Sequence, residues 1–286
     1  MIEIAKGAGF CFGVKRAVEK VEFLLKKGVR VCTLGELIHN GPFCERLKQK
    51  GVRVVEWIDD CGCSVGANES LVFRSHGVGP QVYDYCLRFN IDFVDATCPF
   101  VKRIHEIVSL KSKKEGKTIL IAGNENHPEV RAIKEYCSGE VFVFSKFCNL
   151  WPYLKKCSKE MALVAQTTFN SFEWNAGIEK TKMLNKNIEI FNTICHVTES
   201  RQNEAVSLAK KVSLMIVVGG RASSNSRKLF ELCSEFCKTL FIETVHELEF
   251  FLSKNQLPSR VGICAGASTP PDAIAMVYDL VKLALE

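Results

Sequence analysis

One short pattern occurs three times along this chain, at intervals that point to a duplicated architecture. Cys11-Phe12-Gly13-Val14-Lys15-Arg16 recurs as Cys98-Pro99-Phe100-Val101-Lys102-Arg103. A looser copy, Cys195-His196-Val197-Thr198, follows with Arg201-Gln202 further on. A polar loop trails each cysteine: Ile38-His39-Asn40, Asn126-His127-Pro128-Glu129 and Ser223-Ser224-Asn225-Ser226. His39, His127 and Ser224 lie 28, 29 and 29 residues after their cysteines. A second polar loop comes later in each copy, with His76, Thr167 and Ser268 at 65, 69 and 73 residues. Repeats longer than about 50 residues mean duplicated domains rather than a solenoid. The expected divisions are 1–97, 98–194 and 195–286, each opening near or carrying one of the cysteines.

Short β-branched runs alternate with amphipathic stretches throughout. Strands are expected at 29–34, 52–55, 71–73, 93–95, 118–122 and 141–144, then at 162–165, 188–191, 214–218, 240–242 and 261–265. Helices are expected at 14–27, 41–50, 101–114, 128–137, 170–186, 198–211, 224–237 and 271–286. Pro128 and Pro271 suit helix starts, where a missing N–H costs nothing. Strands alternating with helices of this length give βαβ units and parallel sheets. Ligands of such units collect at the carboxyl ends of the strands. Three units about a pseudo-threefold axis would therefore aim three cysteines and six polar loops at one cavity. The expected fold class is α/β: three pseudo-symmetric domains of mainly parallel sheets.

Three thiolates from three domains can hold one metal centre. A 4Fe–4S cluster takes four cysteines as a rule. With only Cys11, Cys98 and Cys195, one iron stays open to substrate, as the open position of catalytic zinc does. A structural zinc site needs local Cys-x₂₋₄-Cys pairs, and these three cysteines have none. Cys61 and Cys63 read as a surface loop, and Cys233 and Cys237 as two positions on one helix face. The chain has 14 cysteines in 286 residues. With no signal or transit pattern at Met1–Lys6, reduced thiols in a cytoplasmic protein are expected.

The loops read as an anion cradle. His39, His76, His127, Ser223, Ser224, Asn225 and Ser268 supply N–H and O–H donors, and helices starting beside them add unpaired backbone N–H groups. No Walker motif is present, so the site would take phosphate or diphosphate by other means. Gly7, Gly9 and Gly13 miss the dinucleotide fingerprint by one residue in the last gap. Glu129, two residues past His127, is the one carboxylate inside a cradle loop and the candidate proton carrier. Thr167 and Thr168 could relay a proton or orient a hydroxyl. His105, His196 and His246 lack positional support and read as structural. The net charge of +6 suits an anionic ligand, and no block of five basic residues favours nucleic acid. No apolar run approaches the ~20 residues of a membrane span.

Taken together, these motifs resemble the LytB/IspH family over nearly the whole chain. The resemblance rests on the Cys11 and Cys98 segments, Arg74-Ser75-His76-Gly77-Val78 and His127-Pro128-Glu129-Val130. It continues through Gln166-Thr167-Thr168, Arg201-Gln202, Ser223 to Arg227 and Ala265 to Ser268. It implies a trefoil of three α/β domains around a central 4Fe–4S cluster on Cys11, Cys98 and Cys195, with one open iron for the substrate hydroxyl. The reaction it implies is reductive dehydroxylation of 4-hydroxy-3-methylbut-2-enyl diphosphate to isopentenyl and dimethylallyl diphosphate. That is the last step of the methylerythritol phosphate route to isoprenoids. Glu129 would supply protons, Thr167 and Thr168 would lie near the alcohol, and the other cradle residues would hold the diphosphate. Ferredoxin or flavodoxin would deliver electrons singly. Two departures stand out. Asn124 and Asn126 replace the usual His and Gly; Asn126 is the milder change because Asn tolerates the left-handed backbone region, and Asn124 removes a titratable neighbour. His196, Thr198 and Glu199 depart from the family's usual Tyr and paired Thr after the third cysteine. Two alternatives share the three cysteines: a quinolinate synthase-like lyase, whose motifs do not match these loops, and a non-catalytic iron–sulfur sensor, which has no need for Glu129 beside an anion cradle.

Overall fold

A computed structural model of the chain describes residues 1–56, 65, 66, 68–184 and 187–286. Cys61 and Cys63, read above as loop residues, lie outside the described residues. Strand β1 (Ile2–Ile4) is followed by helix α1 (Phe12–Lys26). Next come β2 (Arg30–Leu34), α2 (Gly41–Gln49), β3 (Arg53–Val55), β4 (Glu69–Phe73), α3 (Pro80–Arg88) and β5 (Phe93–Asp95). The middle of the chain forms α4 (Pro99–Ser109), β6 (Thr118–Ala122), α5 (Pro128–Glu135), β7 (Val141–Phe144), α6 (Phe147–Leu154), β8 (Met161–Ala165), α7 (Ser171–Leu184) and β9 (Ile188–Ile190). The last part forms α8 (His196–Ala209), β10 (Leu214–Val218), α9 (Ser224–Ser234), β11 (Lys238–Ile242), α10 (Val245–Leu252), β12 (Val261–Ala265) and α11 (Pro271–Leu285).

Among the described residues the strands form three four-stranded sheets, every pairing parallel, with orders β3-β2-β4-β5, β7-β6-β8-β9 and β11-β10-β12-β1. The three orders are the same once the repeats are aligned. In each, the strand that leads into a repeat cysteine is an edge strand: β5 beside β4, β9 beside β8 and β1 beside β12. For the first cysteine that strand is β1, whose Ile2, Glu3 and Ile4 align with Val261, Gly262 and Ile263. The two ends of the chain thus meet in one sheet. The central strands Thr118–Ala122, Met161–Ala165, Leu214–Val218 and Val261–Ala265 are buried along their whole length. Helices covering both faces require this, and it is why these strands read as unbroken apolar runs instead of alternating ones.

The chain divides into two compact units. One comprises Met1–Val18, Glu36–Val52 and His196–Glu286, and the other Glu19–Gly35 and Arg53–Cys195. The first holds the β1/β10–β12 sheet, with Leu214, Ile216, Val261, Ile263 and Val277 in its core. The second holds the other two sheets, with separate clusters about Leu71 and Phe73, about Ile104, Ile119 and Ile133, and about Leu120, Phe147 and Trp174.

Three helices, α3, α6 and α10, have no counterpart in the sequence reading. α6 carries Pro152 inside it, a residue that argues against a helix when read locally. Burial of Phe147, Leu150 and Leu154 against the Leu120 cluster outweighs that objection. The long helix expected at 101–114 is α4 ending at Ser109, then a π-helical turn at Leu110–Lys114. α9 ends at Ser234, so Cys237 follows the helix that carries Cys233, although its N–H still bonds Cys233 O at 3.2 Å.

Candidate functional site

Each repeat cysteine stands immediately before or at a helix start. Cys98 is the N-cap of α4, while Cys11 and Cys195 directly precede α1 and α8. All three are half-buried, and the described cysteines are all reduced thiols, none in a disulfide. Their backbones are anchored alike. Cys98 N–H donates to Ser75 O at 3.1 Å, Cys195 N–H to Thr167 O at 3.0 Å and Cys11 N–H to Ala267 O at 3.1 Å. Each acceptor lies in the second polar loop of the preceding repeat, and for Cys11 the preceding repeat is the last one in sequence. The common strand order explains this: the edge strand leading into each cysteine lies beside the strand from which that loop leaves.

The cysteines inside the sheets and helices differ from these three. Burial pushes the Cys32 thiol up to about 12 and the Cys86 thiol up to about 11, and it also raises Cys44. Such thiols stay protonated and are poor metal ligands. A set of half-buried sulfurs with fixed backbones is the donor chemistry an iron–sulfur centre requires.

In the first unit the cradle residues gather around the ends of β10 and β12. Ser223 caps α9, its hydroxyl accepting from Ser226 N–H at 3.3 Å. Thr269 Oγ1 donates to Val218 O at 2.8 Å, tying the loop that carries Ser268 to the strand that feeds Ser223. His39 belongs to the same unit. A Cβ on Gly220 would stand 2.2 Å from His39 O, so only glycine lets these two loops run so close. Asn40 follows as the N-cap of α2, accepting from Phe43 N–H at 2.9 Å. Asn225 is 3% exposed, and neither its Nδ2 nor its Oδ1 has a hydrogen-bond partner among the described residues. A buried amide left so costs free energy that an incoming polar ligand would recover.

The second unit brings together His76, His127, Glu129, Thr167 and Thr168. The His76 and His127 rings meet edge to face, with centroids 5.2 Å apart. His127 caps α5, its Nδ1 accepting from Glu129 N–H at 3.2 Å. A neutral ring that accepts at Nδ1 carries its proton on Nε2, which makes that nitrogen a donor. Glu129 is 2% exposed. Its Oε1 accepts from Thr167 N–H at 2.6 Å and its Oε2 from Thr167 Oγ1 at 2.7 Å. Thr167 O in turn holds Cys195 N–H, so one residue joins the carboxyl to a cysteine's backbone. Burial drives the Glu129 carboxyl up to about 7, against the lowering by the two Thr167 hydrogen bonds. Thr168 Oγ1 accepts from Gln166 Nε2 at 3.0 Å.

Both asparagine departures are structural in these surroundings. Asn124 N–H donates to Gln166 Oε1 at 3.1 Å and Asn124 Oδ1 accepts from Asn126 N–H at 3.0 Å. Asn126 is not among the positive-φ residues, so its tolerance of the left-handed region is not called on here. His246 is exposed and pairs with Glu249 at 2.8 Å on α10. Two features escape a reading of sequence: the double Thr167–Glu129 bond, which spans 38 positions, and the burial of His105 in the second unit.

The elevated Glu129 carboxyl predicts a pH dependence of stability. Below pH 4.5 the group is protonated in both the folded and unfolded chain. Between 4.5 and about 7 only the folded chain keeps the proton, so stability falls as pH rises through this window and levels off above it. The loss is on the order of 3 kcal/mol. Glu129→Gln removes the titration, so its denaturant midpoint should change less than the wild type's between pH 5 and 8. Equal changes in both proteins would place the carboxyl's pKa near its ordinary value.

A family model described as LytB protein matches residues 2–282. The 4-hydroxy-3-methylbut-2-enyl diphosphate reductase of Caldanaerobacter subterraneus subsp. tengcongensis is 39% identical over 287 residues, covering 98% of this chain and 96% of that protein. Among solved structures, the E-1-hydroxy-2-methyl-but-2-enyl-4-diphosphate reductase of Plasmodium falciparum superposes with a TM-score of 0.87 at 27% identity, covering 98% of this chain and 87% of that one. A second, described as (E)-4-hydroxy-3-methyl-but-2-enyl diphosphate reductase, the terminal enzyme of the non-mevalonate pathway, gives 0.68 at 36% identity with 99% of both chains covered.

Proposed function

The chain belongs to the LytB protein family, and from that premise we infer that it carries out the reaction its relatives are named for. It reduces 4-hydroxy-3-methylbut-2-enyl diphosphate to isopentenyl and dimethylallyl diphosphate. The allylic alcohol takes up two electrons and two protons, its C–O bond breaks, and water leaves. Cys11, Cys98 and Cys195 would hold a 4Fe–4S cluster, which supplies the electrons and one open coordination position when bound. Ferredoxin or flavodoxin, each a one-electron carrier, would refill it in two steps. Among the described residues no helix is long and apolar enough to cross a membrane.

This chain's own residues bind the anion and move the protons. His39, His76, His127, Ser223, Ser224, Asn225 and Ser268 would hold the diphosphate through N–H and O–H donors. Asn225, buried with its amide unpaired, gains partners on binding. Glu129 supplies protons. A carboxyl poised near pH 7 is half protonated at a neutral working pH, which suits a group that must give a proton and regain one. Thr167 fixes both carboxyl oxygens, and Thr168 is the further hydroxyl available to orient the alcohol.

The observation that carries this reading is the neutral-poised Glu129 carboxyl joined through Thr167 to the backbone of Cys195. The test is anaerobic turnover by cluster-loaded protein with a one-electron reductant and the allylic diphosphate alcohol, the products being separated and identified. Formation of isopentenyl and dimethylallyl diphosphate is the expected result. Intact substrate after exhaustive reduction would refute the assignment.

A further inference from the structure

Cys98 and His105 are seven residues apart on α4, two helical turns along one face. Both touch the same four-residue turn, Arg74 to Gly77. Gly77 N–H closes that turn on Arg74 O at 3.1 Å, and Ser75 O holds Cys98 N–H. Gly77 has φ +78°, and a Cβ there would stand 2.6 Å from His105 Cε1 and 3.1 Å from Thr97 Cγ2. The turn therefore rests directly on the His105 ring. The same ring stacks on Tyr136, with centroids 4.1 Å apart and planes 15° from parallel. His76 lies between the two points of attachment, with its ring against His127.

We infer that His105 is a positioning residue: packed against both Tyr136 and Gly77, it sets the height of the His76 turn above α4 and so the place of His76 relative to Cys98. The inference rests on the reading of His76 as a diphosphate ligand. His105 acts here as a flat spacer. It is 4% exposed, its Nε2 has no hydrogen-bond partner among the described residues, and burial pushes its pKa down to about 4, so the ring is neutral at working pH. A ring used in this way contributes its bulk and shape. Packed interiors transmit such a dimension because they have little slack.

The test is a double-mutant cycle on cluster-loaded protein, with inhibition by inorganic pyrophosphate as the readout. His76→Asn should raise the inhibition constant by removing a ligand. His105→Ala should raise it about 3- to 30-fold, less than the full loss of a hydrogen bond to a charged group, with iron content retained. The decisive result is the pair. If His105 acts through His76, the double variant should be no weaker than His76→Asn alone, within about twofold. Losses that multiply would overturn the inference, as would a His105→Ala protein with unchanged inhibition. If His76→Asn alone leaves pyrophosphate binding intact, the cradle reading fails and takes this inference with it. Ile104→Val, a neighbouring core change on α4, should lower the melting temperature and leave the inhibition constant alone; a parallel rise there would mean that general loosening explains the effect. Should His105→Ala not fold, His105→Leu fills the volume without the planar stack and is expected to show the same non-additivity with His76→Asn.

Discussion

Cys11→Ser, Cys98→Ser and Cys195→Ser are each expected to abolish the brown iron–sulfur chromophore and to reduce turnover below detection. A serine hydroxyl is a poor ligand for iron that thiolates normally hold, and two remaining thiols leave two irons without protein ligands. The three positions are interchangeable in this respect because they are equivalent in structure. Each stands at a helix entrance with its N–H held by the second polar loop of the preceding repeat. Cys32→Ser serves as the control. That thiol is fully buried on β2 and pushed up to about 12 by burial, so its loss should change stability and leave the chromophore. Iron analysis and the visible spectrum under anaerobic conditions decide the matter. A wild-type iron content in any one of the three variants would remove that cysteine from the ligand set.

Glu129→Gln should separate proton delivery from electron delivery. The amide has the size of the carboxyl and can still accept from Thr167 N–H through its oxygen. It can also donate to Thr167 Oγ1 through its nitrogen, so the local geometry is retained. What it cannot do is release a proton. Cluster content and the spectral change on adding substrate should persist while turnover falls about 10²- to 10⁴-fold, the usual worth of a positioned general acid. The pH–rate profile should lose its limb near pH 7, since that limb belongs to the group whose pKa burial has raised to about 7. Near-normal turnover in saturating reductant would leave Glu129 as a first-turn helix residue and move the proton source to Thr168 or water.

The buried central strands could be read as sequence because strands covered on both faces become continuous apolar runs, as in Thr118–Ala122 and Leu214–Val218. Caps were legible too, since Pro128 and Pro271 each occupy the first turn of their helices. α3 was not. Its nine residues follow the N-cap Gly79 in a Gly79-Pro80 pair that signals a turn when read locally, and the burial of its Cys86 is a tertiary fact. The backbone of Asn126 shows the same limit in reverse: a residue's tolerance of a conformation does not place it there.

By itself the sequence determined the repeat, the residue types at each loop and the identity of the three cysteines, because these depend on spacing along the chain. Only the tertiary structure decided what those residues are to one another. β1 pairs with β12 across the full length of the chain, and that pairing lets Ala267 hold Cys11. Thr167 clasps both oxygens of a carboxyl 38 residues away. The pKa of Glu129 belongs to its burial, and the reach of His76 to the ring beneath Gly77. Spacing is a property of the covalent chain, whereas desolvation and contact depend on which distant segments fill the space around a group, and only packing specifies that.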